Sequence, residues 1–247
     1  MLNIVPFDLA VFLAGSFLAA FVTGLSGFAF GMVAAAIWLH ALTPVQATAL
    51  IVAYALLVQG YAVWKLRRTL KLDRLMPFLV GSAMGIPAGF LVLQWASPSD
   101  LRIAVGILLI LFSLYNLVRP KLPEMKQAGA VLDGGVGVLN GLLGGSTGLG
   151  GILPTIWCGL RGWTKDEQRA VFQPTAVATF LMTILWLGGA GALTTDMVQL
   201  FVVGLPALIA GTWLGWKLYG RINETTFRKI VLGLLLAAGV SLVVTWR

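Results

Sequence analysis

The residues of this chain best suited to chemistry lie in one glycine-rich run set in apolar sequence, Gly141-Leu142-Leu143-Gly144-Gly145-Ser146-Thr147-Gly148-Leu149-Gly150-Gly151-Ile152-Leu153-Pro154. Each glycine costs a helix up to about 1 kcal/mol relative to alanine, so a helix is expected to break here. A break at membrane depth frees N–H and C=O groups that lipid cannot satisfy, and it must therefore face protein or a wet cavity. Exposed N–H groups at the start of the following half-helix, the positive end of its dipole and nearby hydroxyls together suit an anion. Glycine allows close approach to the backbone. Nucleophilic and metal chemistry are poorly supplied by comparison. Cys158 and His40 are the only cysteine and histidine, which excludes an internal disulfide and a cysteine metal cluster and leaves a zinc site or a Cys/His nucleophile pair without its usual makings. Both read as packing or interface residues. No G-x-x-x-x-G-K-[ST] phosphate loop occurs. No catalytic residue, metal or cofactor is expected.

The elements that hold this run must be membrane helices. Of the 247 residues, 59% are hydrophobic and 11% charged, with a mean hydropathy of +0.93, whereas a soluble domain carries about 25% charge. The apolar blocks are roughly 17–25 residues long, enough to cross a hydrocarbon core of about 30 Å. Alternation with period two is lacking, so a barrel is not expected. The fold class is an all-α polytopic membrane protein. The net charge of +8 falls in short links between the blocks and reads as topology, since Lys and Arg in short loops mark the cytoplasmic side. Met1 to Asp8 lacks a basic region and a cleavage site, and is read as part of a retained first segment.

Along the chain, a block from about Phe7 to Thr23 meets Gly24-Leu25-Ser26-Gly27-Phe28-Ala29-Phe30-Gly31, and a short piece runs to Leu42. Thr43-Pro44 opens a helix as N-cap and first residue. It leads to Lys65, Arg67, Arg68, Lys71 and Arg74, a cytoplasmic link. Blocks at about 75–95 and 101–118 follow, joined externally through Ser97-Pro98-Ser99-Asp100. Arg119, Lys121 and Lys126 form the central link. A block from Ala128 to Leu143 then enters the glycine-rich run and returns to Arg161, Lys165 and Arg169 on the same side. Thr164 caps the next helix, to Leu187, and two more follow at about 197–219 and 227–244, leaving both termini outside.

Gly24 to Gly31 and Gly141 to Gly148 both read G-L-x-G-x-x-x-G. Each is followed by a short apolar piece and a Thr-initiated helix, and Ala88-Gly89 matches Ala210-Gly211. Each half is thus a broken hairpin plus three spanning helices, an odd number, which turns the second copy upside down. Residues 1–118 form the first repeat, 119–127 a cytoplasmic linker and 128–247 the second, inverted repeat, within one membrane domain. Paired Gly-interrupted segments in an inverted repeat point to a substrate site near the midplane. Small-residue helix packing is the competing reading of such glycines, and suffices for Gly81, Gly85 and Gly89.

The glycine-rich run, continued as Pro154-Thr155-Ile156-Trp157-Cys158-Gly159-Leu160-Arg161-Gly162-Trp163-Thr164-Lys165-Asp166-Glu167-Gln168-Arg169-Ala170, resembles the TauE/SafE family of sulfite and organosulfonate exporters over nearly the whole chain. The resemblance implies a prokaryotic plasma-membrane transporter for a small sulfur-containing anion such as sulfite or sulfoacetate. In the first repeat the chain departs from the family pattern, with Gly31-Met32-Val33-Ala34-Ala35-Ala36-Ile37-Trp38 in place of a glycine-rich run ending in Pro.

A sulfite or sulfonate group needs several donors and positive potential away from bulk water. The expected substrate-binding residues are Gly24, Ser26, Gly27, Phe28 and Gly31 at the first break, and Asn140, Gly144, Gly145, Ser146, Thr147 and Gly148 at the second. Gln173 and Thr175 flank Pro174, which can bend the helix after the second break and free a carbonyl. Arg102 and Arg169 lie near helix starts and either set topology or attract anions at a vestibule. Asp133 is a carboxylate inside an apolar block, open to proton coupling or to snorkelling and capping. The expected partners are the small anion and the lipid bilayer, with no nucleic acid; a homodimer is admissible. A passive anion channel, or a carrier of another small organic anion, fits the same residues. An intramembrane enzyme does not, for want of a convergent nucleophile and base.

Overall fold

The computed structural model describes residues 6–26, 29–66, 72–118, 125, 128–219, 221 and 223–245. Lys71 and Arg119, Lys121 and Lys126 of the basic links lie outside them, as do Arg67 and Arg68. Among the described residues there is no strand, and the helices run α1 (Pro6–Ser26), α2 (Phe30–Trp38), α3 (Pro44–Leu66), α4 (Leu72–Trp95), α5 (Pro98–Val118), α6 (Ala130–Thr147), α7 (Ile152–Leu160), α8 (Lys165–Gly189), α9 (Thr195–Leu218) and α10 (Glu224–Thr245). Six are long and apolar enough to cross a membrane, within α1, α4, α5, α8, α9 and α10. Helices α2 and α7 have nine residues each, about 14 Å at roughly 1.5 Å per residue, which is near half of a hydrocarbon core. Exposed apolar side chains such as Trp95, Leu111, Val131, Ile209, Trp213 and Leu234 give the helices the outer faces that a lipid solvent favours.

Local chemistry sets the helix starts. Thr43 Oγ1 accepts from Gln46 N–H at 3.3 Å while Gln46 Oε1 accepts from Thr43 N–H at 3.0 Å. Thr164 and Glu167 make the same reciprocal pair at α8. Ser97 Oγ accepts from Asp100 N–H at α5, and Thr194 accepts from Met197 N–H at α9. Each satisfies an N–H that the first turn of a helix leaves unpaired.

The chain divides into two compact units. The first holds Met1–Tyr54, Ala96–Pro120 and Leu193–Arg247; the second holds Ala55–Trp95 and Lys121–Ala192. Each unit therefore draws on both halves of the sequence. In the first unit α1 packs along α9, α5 along α10, and α2 lies against α1, α5 and α10. In the second, α4 packs along α6, and α8 lies against α4, α6 and α7.

Glycine decides how closely these helices approach. On α6, a Cβ added at Gly137 would lie 2.7 Å from Phe78 O and one at Gly145 2.6 Å from Ile86 O, while one at Gly141 would run into Ser82 O. Gly81, Gly85 and Gly89 on α4 meet the α6 backbone in the same way. This small-xxx-small seam holds Gly141 and Gly145 against α4 while Gly144 faces Thr179 of α8, and α6 runs to Thr147 rather than ending near Leu143. The tertiary contact outweighs the propensity cost of glycine. A similar seam joins α1 to α9 through Gly24, Gly211 and Gly215, and Gly106 and Gly239 face each other's carbonyls between α5 and α10.

Candidate functional site

In the second unit the helix stops at Thr147 and restarts at Ile152. Gly148, at φ 72°, closes α6 with its N–H on Gly144 O at 3.0 Å, and Gly151, at φ 97°, precedes α7. Both positions need the left-handed backbone that glycine adopts without penalty. The loop between them is largely buried: Gly148, Leu149 and Gly151 are all covered. It seats on α8, where a Cβ at Gly150 would lie 2.9 Å from Thr179 Cγ2 and one at Gly151 2.7 Å from Ala176 Cβ.

Asn140 holds this break from within. Fully buried on α6, it donates through Nδ2 to Ser82 Oγ of α4 at 3.2 Å and to Thr179 Oγ1 of α8 at 3.0 Å. Its Oδ1 accepts from Gly151 N–H at 2.6 Å. One amide thus ties the break to two helices, with both amide protons used. Ser82 Oγ donates onward to Gly137 O, and Thr179 Oγ1 to Thr175 O. The hydroxyls next to the break are directed inward along their own helices. Ser146 Oγ donates to Leu142 O and Thr147 Oγ1 to Leu143 O, each at 2.7 Å. Thr147 also accepts from Leu149 N–H. Thr175 donates to Val171 O at 2.8 Å. The N–H groups of Ile152 and Leu153 head the first turn of α7, where an α-helix offers them no internal carbonyl.

At the other end of the same hairpin Asp133 is 4% exposed. Its Oδ1 accepts from Trp157 Nε1 at 2.7 Å, and its Oδ2 from Arg161 at 3.4 Å. Arg161 lies over the Trp163 ring, as does Arg74, which pairs with Glu167 at 2.9 Å. Anion, cation, ring, cation and anion alternate across the ends of α4, α6, α7 and α8. Cys158 packs among Phe78, Val171 and Trp157. No group of three or more His, Cys, Asp or Glu suited to a metal occurs among the described residues.

The first unit builds its hairpin from other materials. Helix α1 ends at Ser26, whose Oγ donates to Val22 O at 2.7 Å. Ala29 precedes α2 at φ 75°, the one non-glycine residue with positive φ among those described, a conformation costing about 1–2 kcal/mol with a Cβ. Gly27 and Phe28 lie outside the described residues. Rings surround α2: Trp38 lies 5.1 Å from Phe12, 6.2 Å from Phe30 and 5.9 Å from Tyr54, and Tyr54 stacks on Phe201 at 5.0 Å. Trp38 Nε1 donates to Phe12 O at 3.1 Å, and Tyr54 OH to Phe201 O at 2.7 Å.

Arg102 reaches back to the end of α2, donating to Leu39 O at 2.8 Å and Leu42 O at 3.3 Å. A cation there suits the negative end of a helix dipole. Nearby His40 is exposed, and its pKa is lowered from 6.5 by burial of the ring against the protein and then by the Arg102 charge.

Of the residues expected from sequence, Asn140, Gly144, Gly148 and Thr175 gather around the second break. Gly145 faces α4 instead, and Gly24 faces Thr212 O of α9. Gly31 is half-buried in the first turn of α2, Arg169 is exposed, and Gln173 is half-buried with its Oε1 unpaired among the described residues. Ser82, Thr179, Thr183 and Arg161 were not singled out by sequence reasoning. The T-x-x-x-T-x-x-x-T spacing at 175, 179 and 183 was the available signal, since it places three hydroxyls on one helix face.

A family model described as sulfite exporter TauE/SafE matches residues 12–242. Comparison with curated proteins and with solved structures gave no match.

Proposed function

This chain belongs to the TauE/SafE sulfite exporter family, and from that premise we propose that it is a secondary transporter of sulfite or an organosulfonate such as sulfoacetate, working by alternating access. A multi-pass membrane protein of a sulfite-export family is the coarser statement. Placement in the plasma (inner) membrane with both termini outside belongs to the proposal and rests on the distribution of Lys and Arg among the links. The inverted repeat is supported by an exchange of partners. The long helix of each hairpin packs along a helix of the other half, α1 on α9 and α6 on α4.

The anion binds at the second glycine-rich break. The observation that carries this is the buried break at Gly148–Gly151, which Asn140 ties at Gly151 N–H directly before the first turn of a half-length helix. Such a helix start offers an oxyanion fixed donors and a positive dipole end without a full charge in the membrane. Asp133 is engaged by Arg161 and Trp157, which favours a role in holding the hairpin ends together over proton transfer.

Counterflow in proteoliposomes tests the carrier reading. Sulfite or sulfoacetate trapped inside is expected to accelerate entry of labelled sulfite. Uptake that is the same with and without internal substrate would identify a channel and overturn alternating access.

A further inference from the structure

Helix α8 carries Thr175, Thr179 and Thr183 at four-residue spacing, all buried. The first two donate to carbonyls one turn back, Val171 O and Thr175 O, each at 2.8 Å. Thr183 breaks the series. It is 1% exposed, and its Oγ1 is buried with no hydrogen-bond partner among the described residues. Its neighbourhood is the second break. A Cβ built on Gly144 would lie 3.8 Å from Thr183 Oγ1 and 3.7 Å from Gly150 Cα. The same Cβ would meet Thr179 Cγ2 at 2.5 Å, so Thr179 is what requires glycine at 144, and the Thr183 hydroxyl lies at ordinary contact distance from that position.

A stripped hydroxyl costs stability that a methyl group of the same shape would not. Threonine and valine are near-isosteric, so exchanging them removes the polar group while keeping the shape. A buried hydroxyl without a partner among the described residues, beside the break between α6 and α7, is accounted for by a partner that comes and goes.

We propose that Thr183 is a substrate-contacting residue, its hydroxyl donating to an oxygen of the anion bound at the second break. This rests on the sulfite or sulfonate reading given above. It assigns specificity to a neutral donor: a ligand with sulfur-bound oxygen acceptors gains from Thr183 a directed bond that a spherical halide uses less well. It also divides labour within the site. Asn140 and Thr179 shape the loop through bonds already made, and Thr183 reads the ligand.

The test uses purified full-length protein and thermal unfolding against sulfite, methanesulfonate and chloride. Wild type is expected to be stabilised by the first two more than by chloride. Thr183→Val is expected to unfold without ligand at the same temperature as wild type or higher, and to need about tenfold more sulfite for the same shift, with Thr183→Ser restoring most of the response. A Thr183→Val protein that is less stable without ligand, yet keeps the wild-type sulfite midpoint, would make the hydroxyl structural and overturn the assignment. If neither sulfite nor methanesulfonate shifts wild type, the substrate reading itself falls. If both shift wild type and Thr183→Val equally, the reading stands and the role of Thr183 alone is overturned.

Discussion

The first hairpin is held by rings and the second by an amide and hydroxyls. Around α2, Trp38, Tyr54, Phe12, Phe30 and Phe201 fill the space, and the polar tips of Trp38 and Tyr54 end on backbone carbonyls. Around α7, Asn140 spans from Ser82 and Thr179 to Gly151 N–H. Both half-helices have nine residues, and both begin beyond a residue in the left-handed conformation. Arginine serves the far end of each, Arg102 bonding carbonyls at the end of α2 and Arg161 closing α7 against Asp133. Similar backbone geometry is thus reached with an apolar core in one unit and a polar network in the other. An aromatic cluster is costly to disturb but offers a ligand little; a polar network can exchange partners.

That contrast makes distinct demands on mutants. Trp38→Ala should have the largest effect, about 3–5 kcal/mol of stability for an excavated aromatic core. It should lower the amount of folded protein while leaving the KM of the surviving transporter near wild type. A changed KM at normal expression would break the distinction. Asn140→Ala should cost about 1–3 kcal/mol for the buried Gly151 N–H left unpaired and, unlike Trp38→Ala, should raise KM for sulfite as the break loosens. Melting temperature and transport kinetics on one preparation separate the two effects.

Smaller changes sharpen the same comparison. Tyr54→Phe removes one hydrogen bond to Phe201 O and keeps the ring stack, so a loss of about 1 kcal/mol with unchanged transport is expected. Melting curves and initial rates check it. The smallest expected effect is at His40. Its pKa is lowered from 6.5, so the unfolded chain takes up this proton first, and the folded state gives up a little stability as pH falls through and below 6.5. Above 6.5 the contribution is fully present. NMR titration of the ring should give a midpoint below 6.5, and a midpoint above it would remove Arg102 as a repelling neighbour.

The local signals in the chain were largely legible before any fold. Thr43, Ser97 and Thr164 sit where helices begin because the hydroxyl-to-N–H geometry of a cap needs only three or four neighbouring residues; the cap at Thr194 emerged only in the structure. The G-L-x-G-x-x-x-G pair directed attention to two short helices because glycine content is a property of the run itself. Less legible was which glycines do what. Gly141, Gly144 and Gly145 look like breakers by propensity, yet two face the backbone of α4 and one faces Thr179. Only Gly148 and Gly151 in that run take the left-handed backbone that ends one helix and starts the next. Ser146 and Thr147 looked like free donors, and their protons are spent on their own helix.

The sequence by itself thus determined the all-helical membrane class and the family resemblance, and it marked the glycine-rich run within which α6 ends and α7 begins, because hydropathy, capping and glycine content act over short stretches. The tertiary structure decided that Asn140 meets Ser82 and Thr179, that Asp133 meets Arg161, and that Thr183, beside Gly144, has no partner among the described residues. Those outcomes depend on which helices pack side by side, and side-chain hydrogen bonds of a few ångströms cannot be read from residues dozens of positions apart.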